Sequence, residues 1–362
     1  MANQAASEAV ILIPSLEPDE RLPHYVRALM EGGFRHAVIV DDGSAASYQP
    51  IFQEIETIPG VTVLHHPKNR GKGAALKTGY RWIDENLGGV SGVITADADG
   101  QHTVRDCIRL AEKLKEGERA LYLGSRDFSG KDVPFKSSLG NRVTSVLFKL
   151  LYGPWLPDTQ TGLRAFRRED LRFMAEIPGE RFEYEMNVLI ACAHQRIPMI
   201  PIPIETVYEN ENRGSHYHPL KDSLRIFRVL ARGFLKFMGV SLVCFVIDQA
   251  LAALLREWLL PLAGLGRGGM WNIQLSGWGA RLVSAVINFK LNKDLVFRLR
   301  GHAGRAALRY ALVCGLIICL SNLGVWMLGQ IGMAGWLAKI LMDTLLYFLS
   351  YQLQDRWVFG EQ

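Results

Sequence analysis

The chain has little of what marks a secreted or zinc-bound protein. Its 362 residues include five cysteines, at Cys107, Cys192, Cys244, Cys314 and Cys319, odd in number and scattered. No disulfide framework and no zinc-ligand spacing follows, which predicts a reducing compartment for any soluble part. Residues 1–8 are short and polar, so no cleavable signal peptide is expected. Walker A spacing is absent, which removes the P-loop NTPases. The formal net charge of +5 is too modest to argue for nucleic acid. Charge is also unevenly spread: from Leu235 onward long apolar runs dominate, and residues 328–335 carry none at all.

The length permits two domains, and the change in texture divides them at 1–232 and 233–362. The first part reads as strands at residues 9–14, 37–40, 61–65, 93–96 and 121–124, with a late one at 199–204 broken by Pro201 and Pro203. Helical stretches at 21–31, 73–86 and 105–115 separate most of them. That alternation predicts a mainly parallel, Rossmann-like α/β sheet covered on both faces.

Polar residues sit after these strands, where open α/β sheets bind ligands. The apolar run 92–96 ends in Asp97-Ala98-Asp99-Gly100-Gln101. Two carboxylates there suit a hard divalent cation that also holds a diphosphate, Mg²⁺ or Mn²⁺; alone, Asp-X-Asp equally describes a solvated turn. Val40 runs into Asp41-Asp42-Gly43-Ser44, where a carboxylate commonly holds a ribose or base edge. Asn69-Arg70-Gly71-Lys72-Gly73 opens a helix, and its cations and glycines suit an anion. Singly, each is also an ordinary turn or cap.

Together, Ile13-Pro14-Ser15, Val40-Asp41-Asp42-Gly43-Ser44, Gly71-Lys72-Gly73-Ala74-Ala75, Asp97-Ala98-Asp99-Gly100-Gln101-His102, Gly124-Ser125-Arg126 and Asp158-Thr159-Gln160-Thr161-Gly162-Leu163-Arg164 resemble glycosyltransferase family 2. The likeness covers roughly residues 10–227 and points to the polyprenyl- and dolichyl-phosphate sugar synthases. It implies a GT-A catalytic domain. Asp97, Asp99 and Gln101 would hold the metal, and Pro14, Glu17, Asp41, Asp42, Lys72, Asp97 and Ser215 the donor nucleotide sugar. Asp99, Arg126 and Arg164 would serve the reaction, the arginines facing the acceptor phosphate or the diphosphate. The chain departs from the family after the first strand. Leu16-Glu17-Pro18-Asp19-Glu20 replaces the usual Asn-Glu pair, and Glu17 is the candidate nucleotide contact there.

The second part offers four apolar runs, 235–255, 278–289, 308–328 and 336–353. About 20 residues suffice to cross hydrocarbon at 1.5 Å per residue, so an all-α four-helix transmembrane domain is expected. The second run is the weakest, since Arg281 and Asn288 lie in it. Asp248 interrupts the first and should face other helices. A repeat supports the count: residues 288–297 parallel 350–359, and Leu235-Lys236-Phe237 parallels Leu308-Arg309-Tyr310. This part resembles the GtrA-like membrane domain, which implies lipid-linked sugars. Cations at Arg225, Arg228, Arg232 and Lys236, and again at Lys290, Lys293, Arg298, Arg300, Arg305 and Arg309, put both termini and the catalytic domain on the cytoplasmic side of the plasma (inner) membrane. Residues 218–234 read as an interfacial amphipathic helix. Val143, Val146, Leu147, Leu150 and Leu151, with Trp155, form a second apolar stripe, read as core packing ahead of membrane contact.

The expected activity is inverting transfer of a hexose from a nucleotide diphosphate sugar, of the UDP-glucose or GDP-mannose class, to polyprenyl phosphate. Two rivals stand beside it. In one the acceptor is a hydroxyl, with Asp158 or Glu185 as base. In the other the spans flip a lipid-linked sugar and the soluble part supplies cargo.

Overall fold

The structure is a computed structural model, and it describes residues 2–128, 135–205, 219–265, 269–297 and 303–360. The chain forms two compact units, Met1–Leu230 and Ala231–Gln362.

The first unit holds a seven-stranded sheet, β1 (Ala9–Ser15), β2 (His36–Asp41), β3 (Val61–His65), β4 (Gly92–Thr95), β5 (Leu121–Ser125), β6 (Arg164–Arg167) and β7 (Met199–Pro203), in the order β3-β2-β1-β4-β6-β5-β7. Only β6 runs antiparallel to its neighbours. The mainly parallel expectation therefore holds, and β6 is the element that the sequence did not suggest. Its four residues include two arginines and carry no alternation; antiparallel pairing on both sides, not local pattern, makes it a strand. Central strands β1, β4 and β5 are buried on both faces, as continuous apolar runs require. Pro201 and Pro203 are tolerated because β7 lies at the sheet edge.

Helices α1 (Ala2–Glu8), α2 (Arg21–Glu31), α3 (Gln49–Glu56), α4 (Lys72–Asn86), α5 (Val104–Glu116), α6 (Phe135–Tyr152), α7 (Leu171–Glu176) and α8 (Glu183–His194) surround the sheet. Thr103 caps α5, accepting from the Asp106 backbone N–H at 3.1 Å. Ile11, Ile13, Leu29, Ile39, Phe52, Ile94 and Leu110 anchor one core cluster.

Helix α6 divides the apolar stripe that was expected to pack in the core: Leu151 is buried, Leu147 half-buried and the rest exposed. Val143, Val146 and Leu150 are exposed, as are Leu139 and Trp155, whereas the buried face presents Asn141, Ser145, Phe148, Leu151 and Tyr152. That face is polar because it holds a loop. Asn141 Nδ2 donates to the Pro157 carbonyl (2.6 Å), Asn141 Oδ1 accepts from the Thr159 N–H (3.1 Å), and the Thr144 and Thr159 hydroxyls meet at 2.8 Å.

The long helix α9 (Pro219–Leu254) opens the C-terminal region and continues through a π-helical turn, Leu255–Leu259, into the short α10 (Leu260–Leu262). Then come α11 (Met270–Leu291), α12 (Ala303–Gln330) and α13 (Gly335–Leu353). The proposed interfacial helix at about 218–234 is thus the start of one continuous helix, and Leu220, Lys221 and the side chains up to residue 223 lie outside those described. Among the described residues, two helical segments are long and apolar enough to cross a membrane, Leu224–Leu262 and Gly304–Gln330. The other two expected spans are helical but shorter and interrupted by charge, Arg281 in α11 and Lys339 and Asp343 in α13.

The internal repeat is structural. α11 and α13 both end in π-helical turns, Asn292–Val296 and Gln354–Val358, closed by N–H groups of Phe297 to the Asn292 carbonyl (2.9 Å) and of Phe359 to the Gln354 carbonyl (2.8 Å). Equivalent residues then meet: Asn292 Nδ2 donates to Gln354 Oε1 (3.3 Å), and the Phe297 and Phe359 rings stack at 4.9 Å. Phe289 touches Phe359 while Phe297 touches Tyr351, the reciprocal pair. Such reciprocity is the mark of a two-fold interface, here between two hairpins of one chain. Asp248 is buried against α11, accepting from the Ser284 hydroxyl at 3.0 Å with Arg281 Nε at 3.9 Å.

Candidate active site

Because β6 alone is reversed, the ends of β1, β2, β4 and β5 and the beginning of β6 share one edge of the sheet. That edge gathers Pro14–Glu17, Asp41–Ser44, Asp97–Gln101, Arg126 and the segment leading to Arg164.

The centre is Lys72, the first residue of α4. Its Nζ lies 2.6 Å from Asp97 Oδ1 and 2.9 Å from Glu185 Oε1. Burial pushes the Lys72 ammonium down, but the two carboxylates outweigh it and hold the group well above the usual lysine range. Burial likewise pushes Asp97 up, and the Lys72 ammonium, with Arg126 beyond it, brings it well below the usual carboxylate range. Asp99 goes the other way, raised by burial and by the charge of Asp97. Its Oδ1 accepts from the Gln101 N–H at 3.1 Å. His102 Nδ1 accepts from the Asp97 N–H at 3.1 Å, which needs a neutral ring, and burial lowers the imidazole accordingly.

Gly162 explains why Thr-Gly-Leu-Arg precedes β6. A Cβ placed on it would stand 2.4 Å from Asp97 Oδ2 and 2.6 Å from Oδ1. Similarly, a Cβ on Gly73 would meet Tyr184 Cβ at 2.5 Å, so glycine lets α8 approach the start of α4. Gly71 needs glycine for its backbone, at φ +107°.

Asp41 and Asp42 lie at the edge as expected, but their carboxylates face inward and are already partnered. Asp41 accepts from the Ser44 N–H (2.8 Å) and Gln49 Nε2 (3.2 Å) and pairs with His65 Nδ1 (2.9 Å). Burial pushes Asp41 up, yet its bonds to Ser44, His65 and Gln49 win and lower it. Asp42 accepts from the N–H groups of Arg70 (3.0 Å) and Gly71 (2.6 Å) and meets His66 Nδ1 at 2.7 Å. It fastens the glycine-rich loop to β2. The sequence suggested both as nucleoside contacts; in the structure their oxygens meet protein donors. Glu17 is exposed at φ +50°, its N–H donating to the Ser44 hydroxyl at 2.8 Å, so the first two loops are tied together. Pro14 is half-buried in β1.

Arg126 projects from the end of β5 and is held by Asp158, Nε to Oδ2 at 2.7 Å and an Nη to Oδ1 at 3.2 Å. Phe128 lies 5.2 Å from the guanidinium. Arg164 corrects the expectation that it faces a phosphate. It is 5% exposed and donates to the carbonyls of Thr161 (3.0 Å) and Glu185 (2.8 Å), a strut behind the site. Ser215, with Arg213 and His216, lies outside the described residues. Sequence reasoning passed over Lys72 as a partner of Asp97, and treated Glu185 only as a possible base; nothing local links positions 72, 97, 162 and 185.

The donor set fits a hard cation. Asp97 and Asp99 are hard oxygen donors at one strand end, and burial together with the neighbouring Asp97 charge raises Asp99, a crowding that a cation would relieve. Among the described residues no three His, Cys, Asp or Glu side chains converge on one point. The protein would supply part of a coordination shell and leave the rest to diphosphate and water.

Both parts of the chain match known protein families. Residues 11–173 match glycosyl transferase family 2, and residues 236–359 match the GtrA/DPMS transmembrane domain. The chain carries a glycosyltransferase family 2 domain followed by a GtrA/DPMS transmembrane domain. Among similar curated proteins, UDP-N-acetylglucosamine–dolichyl-phosphate N-acetylglucosaminyltransferase of Methanococcus voltae is 27% identical over 55% of this chain and 85% of its own length. Polyprenol monophosphomannose synthase of Mycolicibacterium smegmatis is 26% identical over 54% of this chain and 76% of its own. Human dolichyl-phosphate beta-glucosyltransferase is 26% identical over 54% and 65%. Glucosyl-3-phosphoglycerate synthase of Mycobacterium tuberculosis, solved with Mn²⁺ and UDP, is a distant structural likeness, 16% identical with a TM-score of 0.47 over 64% of this chain and 82% of that one.

Proposed function

We propose that the protein transfers one hexose from a nucleotide diphosphate sugar to polyprenyl phosphate at the cytoplasmic face of a membrane, with inversion. The observation that carries the choice of acceptor is the state of the two candidate bases. Asp158 is fully buried against Arg126, and Glu185 is paired with Lys72. Neither is poised to take a proton from a hydroxyl. A phosphate monoester has its second pKa near 6, so it is largely dianionic at neutral pH and attacks without a base.

The chain's own residues then have two tasks, to position two anions and to screen their repulsion. Arg126, fixed by Asp158, presents a rigid guanidinium toward the acceptor phosphate or the diphosphate. Lys72 and the start of α4 face the donor phosphates, with Asp42 setting the loop's geometry. Asp97, Asp99 and Gln101 would hold Mg²⁺ or Mn²⁺, which would neutralise charge on the leaving diphosphate.

Four spans with both termini inside fit the cation pattern and the two-hairpin repeat. The exposed stripe of α6, flanked by Arg142 and Lys149, and Leu224 and Phe227 at the start of α9, suit a headgroup region. The hydroxyl-acceptor and flippase readings gain no comparable observation.

The test supplies purified protein with a panel of nucleotide sugars and either polyprenyl phosphate or a glycolipid hydroxyl. The expected product is an acid-labile sugar on lipid phosphate, its anomeric configuration inverted. Arg126→Ala should then lose about a hundredfold in turnover and Asp158→Asn less, since the guanidinium remains. Transfer to the hydroxyl alone, with Asp158→Asn inactive and Arg126→Ala mild, would sink this reading. For topology, an impermeant thiol reagent should label Gln330→Cys from outside and miss Gly304→Cys.

A further inference from the structure

Lys72 does more than line the site. Its ammonium sits 2.6 Å from Asp97 Oδ1, and a bound divalent ion would approach a carboxylate oxygen at about 2.1 Å. The two cations compete for one oxygen. Asp97 has little room to turn aside, because the Gly162 backbone presses on the carboxylate from a position where even a methyl group would clash with both oxygens. Lys72 does have a second seat, Glu185 Oε1 at 2.9 Å. Its backbone is held in place, since Asp42 grips the N–H of Gly71 at 2.6 Å and α4 begins at Lys72. Only the side chain can move, and a diphosphate arriving at the start of α4 brings the anion that would move it.

We propose that Lys72 is an internal counter-ion that occupies Asp97 until the donor diphosphate draws it away, making metal binding conditional on donor. The inference rests on the reading of Asp97 as a metal ligand. It casts Lys72 as a positioning residue with two states, on Asp97 without donor and on diphosphate with it. Such a device would keep the cation from binding without a sugar nucleotide, and the coupling must be reciprocal.

The experiment titrates the full-length protein in detergent with Mn²⁺ alone, following free Mn²⁺ by its paramagnetic resonance signal, and repeats the titration with saturating UDP. Lys72→Met, which keeps the side-chain volume, should bind Mn²⁺ at least about tenfold more tightly than wild type without UDP, the equivalent of one pK unit of interaction. Glu185→Gln should bind it more weakly, since the ammonium loses its other seat. UDP should raise Mn²⁺ affinity by a larger factor in wild type than in Lys72→Met. Opposite signs at two contacting residues separate this role from general damage to the site. Equal or weaker Mn²⁺ binding by Lys72→Met, with wild-type binding intact, overturns the counter-ion role alone. Absence of Mn²⁺ binding in wild type, with and without UDP, overturns the metal reading and this inference together.

Discussion

The two units distribute polarity in opposite senses. In Met1–Leu230 the interior is made of residues such as Ile11, Leu12, Phe52 and Leu123, and the buried carboxylates Asp41, Asp42 and Asp158 lie at the sheet edge that carries the candidate site. In Ala231–Gln362 the large apolar side chains point outward, among them Leu242, Phe245, Trp278, Leu282, Leu308 and Trp336, while Asp248, Asn272, Ser276, Ser284, Asn292, Ser321 and Gln354 are buried. One chain thus follows two solvents. Water rewards burying apolar area, whereas lipid leaves that area indifferent and penalises unpaired polar groups. Polar residues in the first unit do chemistry at the boundary, and those of the second hold helices together.

The strongest test of that contrast strikes the sheet edge. Asp97→Asn or Asp99→Asn should lower turnover at least about a hundredfold, the scale of losing a preorganised charge-stabilising group, and EDTA should do the same to the wild type. Steady-state assays at saturating donor check this, and near-normal rates in both variants would leave the carboxylates as an ordinary turn. Next in size is Gly162→Ala. Its methyl group collides with the Asp97 carboxylate, so it should destabilise by about 1–3 kcal/mol, as overpacking does. Because the clash is at Asp97, activity should fall more than thermal stability does; a loss of stability with unchanged turnover would detach Gly162 from the site.

The smallest effect belongs to the membrane side. Asn292→Leu or Gln354→Leu alone removes the bond between the two buried amides and should destabilise the hairpin pair by about 1 kcal/mol, the scale of interhelical hydrogen bonds in lipid. The double substitution should cost less than the sum of the two, since neither amide is left facing an apolar side chain. Unfolding in mixed micelles would measure the cycle. Strict additivity would mean that the contact between equivalent residues contributes nothing. An acid series sharpens the soluble side: Asp41 is lowered in the folded state, so its stabilisation is present above the ordinary carboxylate pKa of about 3.9 and is lost as pH falls through its lower folded value. The stability gap between Asp41→Asn and wild type should therefore close only in strong acid.

Much was legible before any coordinates. Asp97-Ala98-Asp99 and Asp41-Asp42 stood out because carboxylates interrupt apolar strands, and strand ends are where ligands bind. The hairpin repeat was legible because residues 288–297 and 350–359 share a pattern. What escaped was contact across distance. The bonds of Asp42 to the Gly71 N–H and of Arg164 to two carbonyls have no local signal in the sequence. The α6 stripe has the period of a core helix and faces outward, because its other face must hold the polar loop around Thr159.

The sequence by itself determined six of the seven strands and the longer helices between them, the place of the acidic turns and the apolar character of the C-terminal part, since periodicity and residue type act locally. Only the tertiary structure decided which carboxylates are spent and which are offered. Asp41, Asp42 and Asp158 have protein donors on their oxygens, Asp97 has an ammonium that a second carboxylate shares, and Asp99, with one oxygen on the Gln101 N–H, is raised by burial and by the Asp97 charge. A carboxylate's role is set by what lies within about 3 Å of its oxygens, the reach of a hydrogen bond, and residues that come that close are here tens of positions apart in the chain.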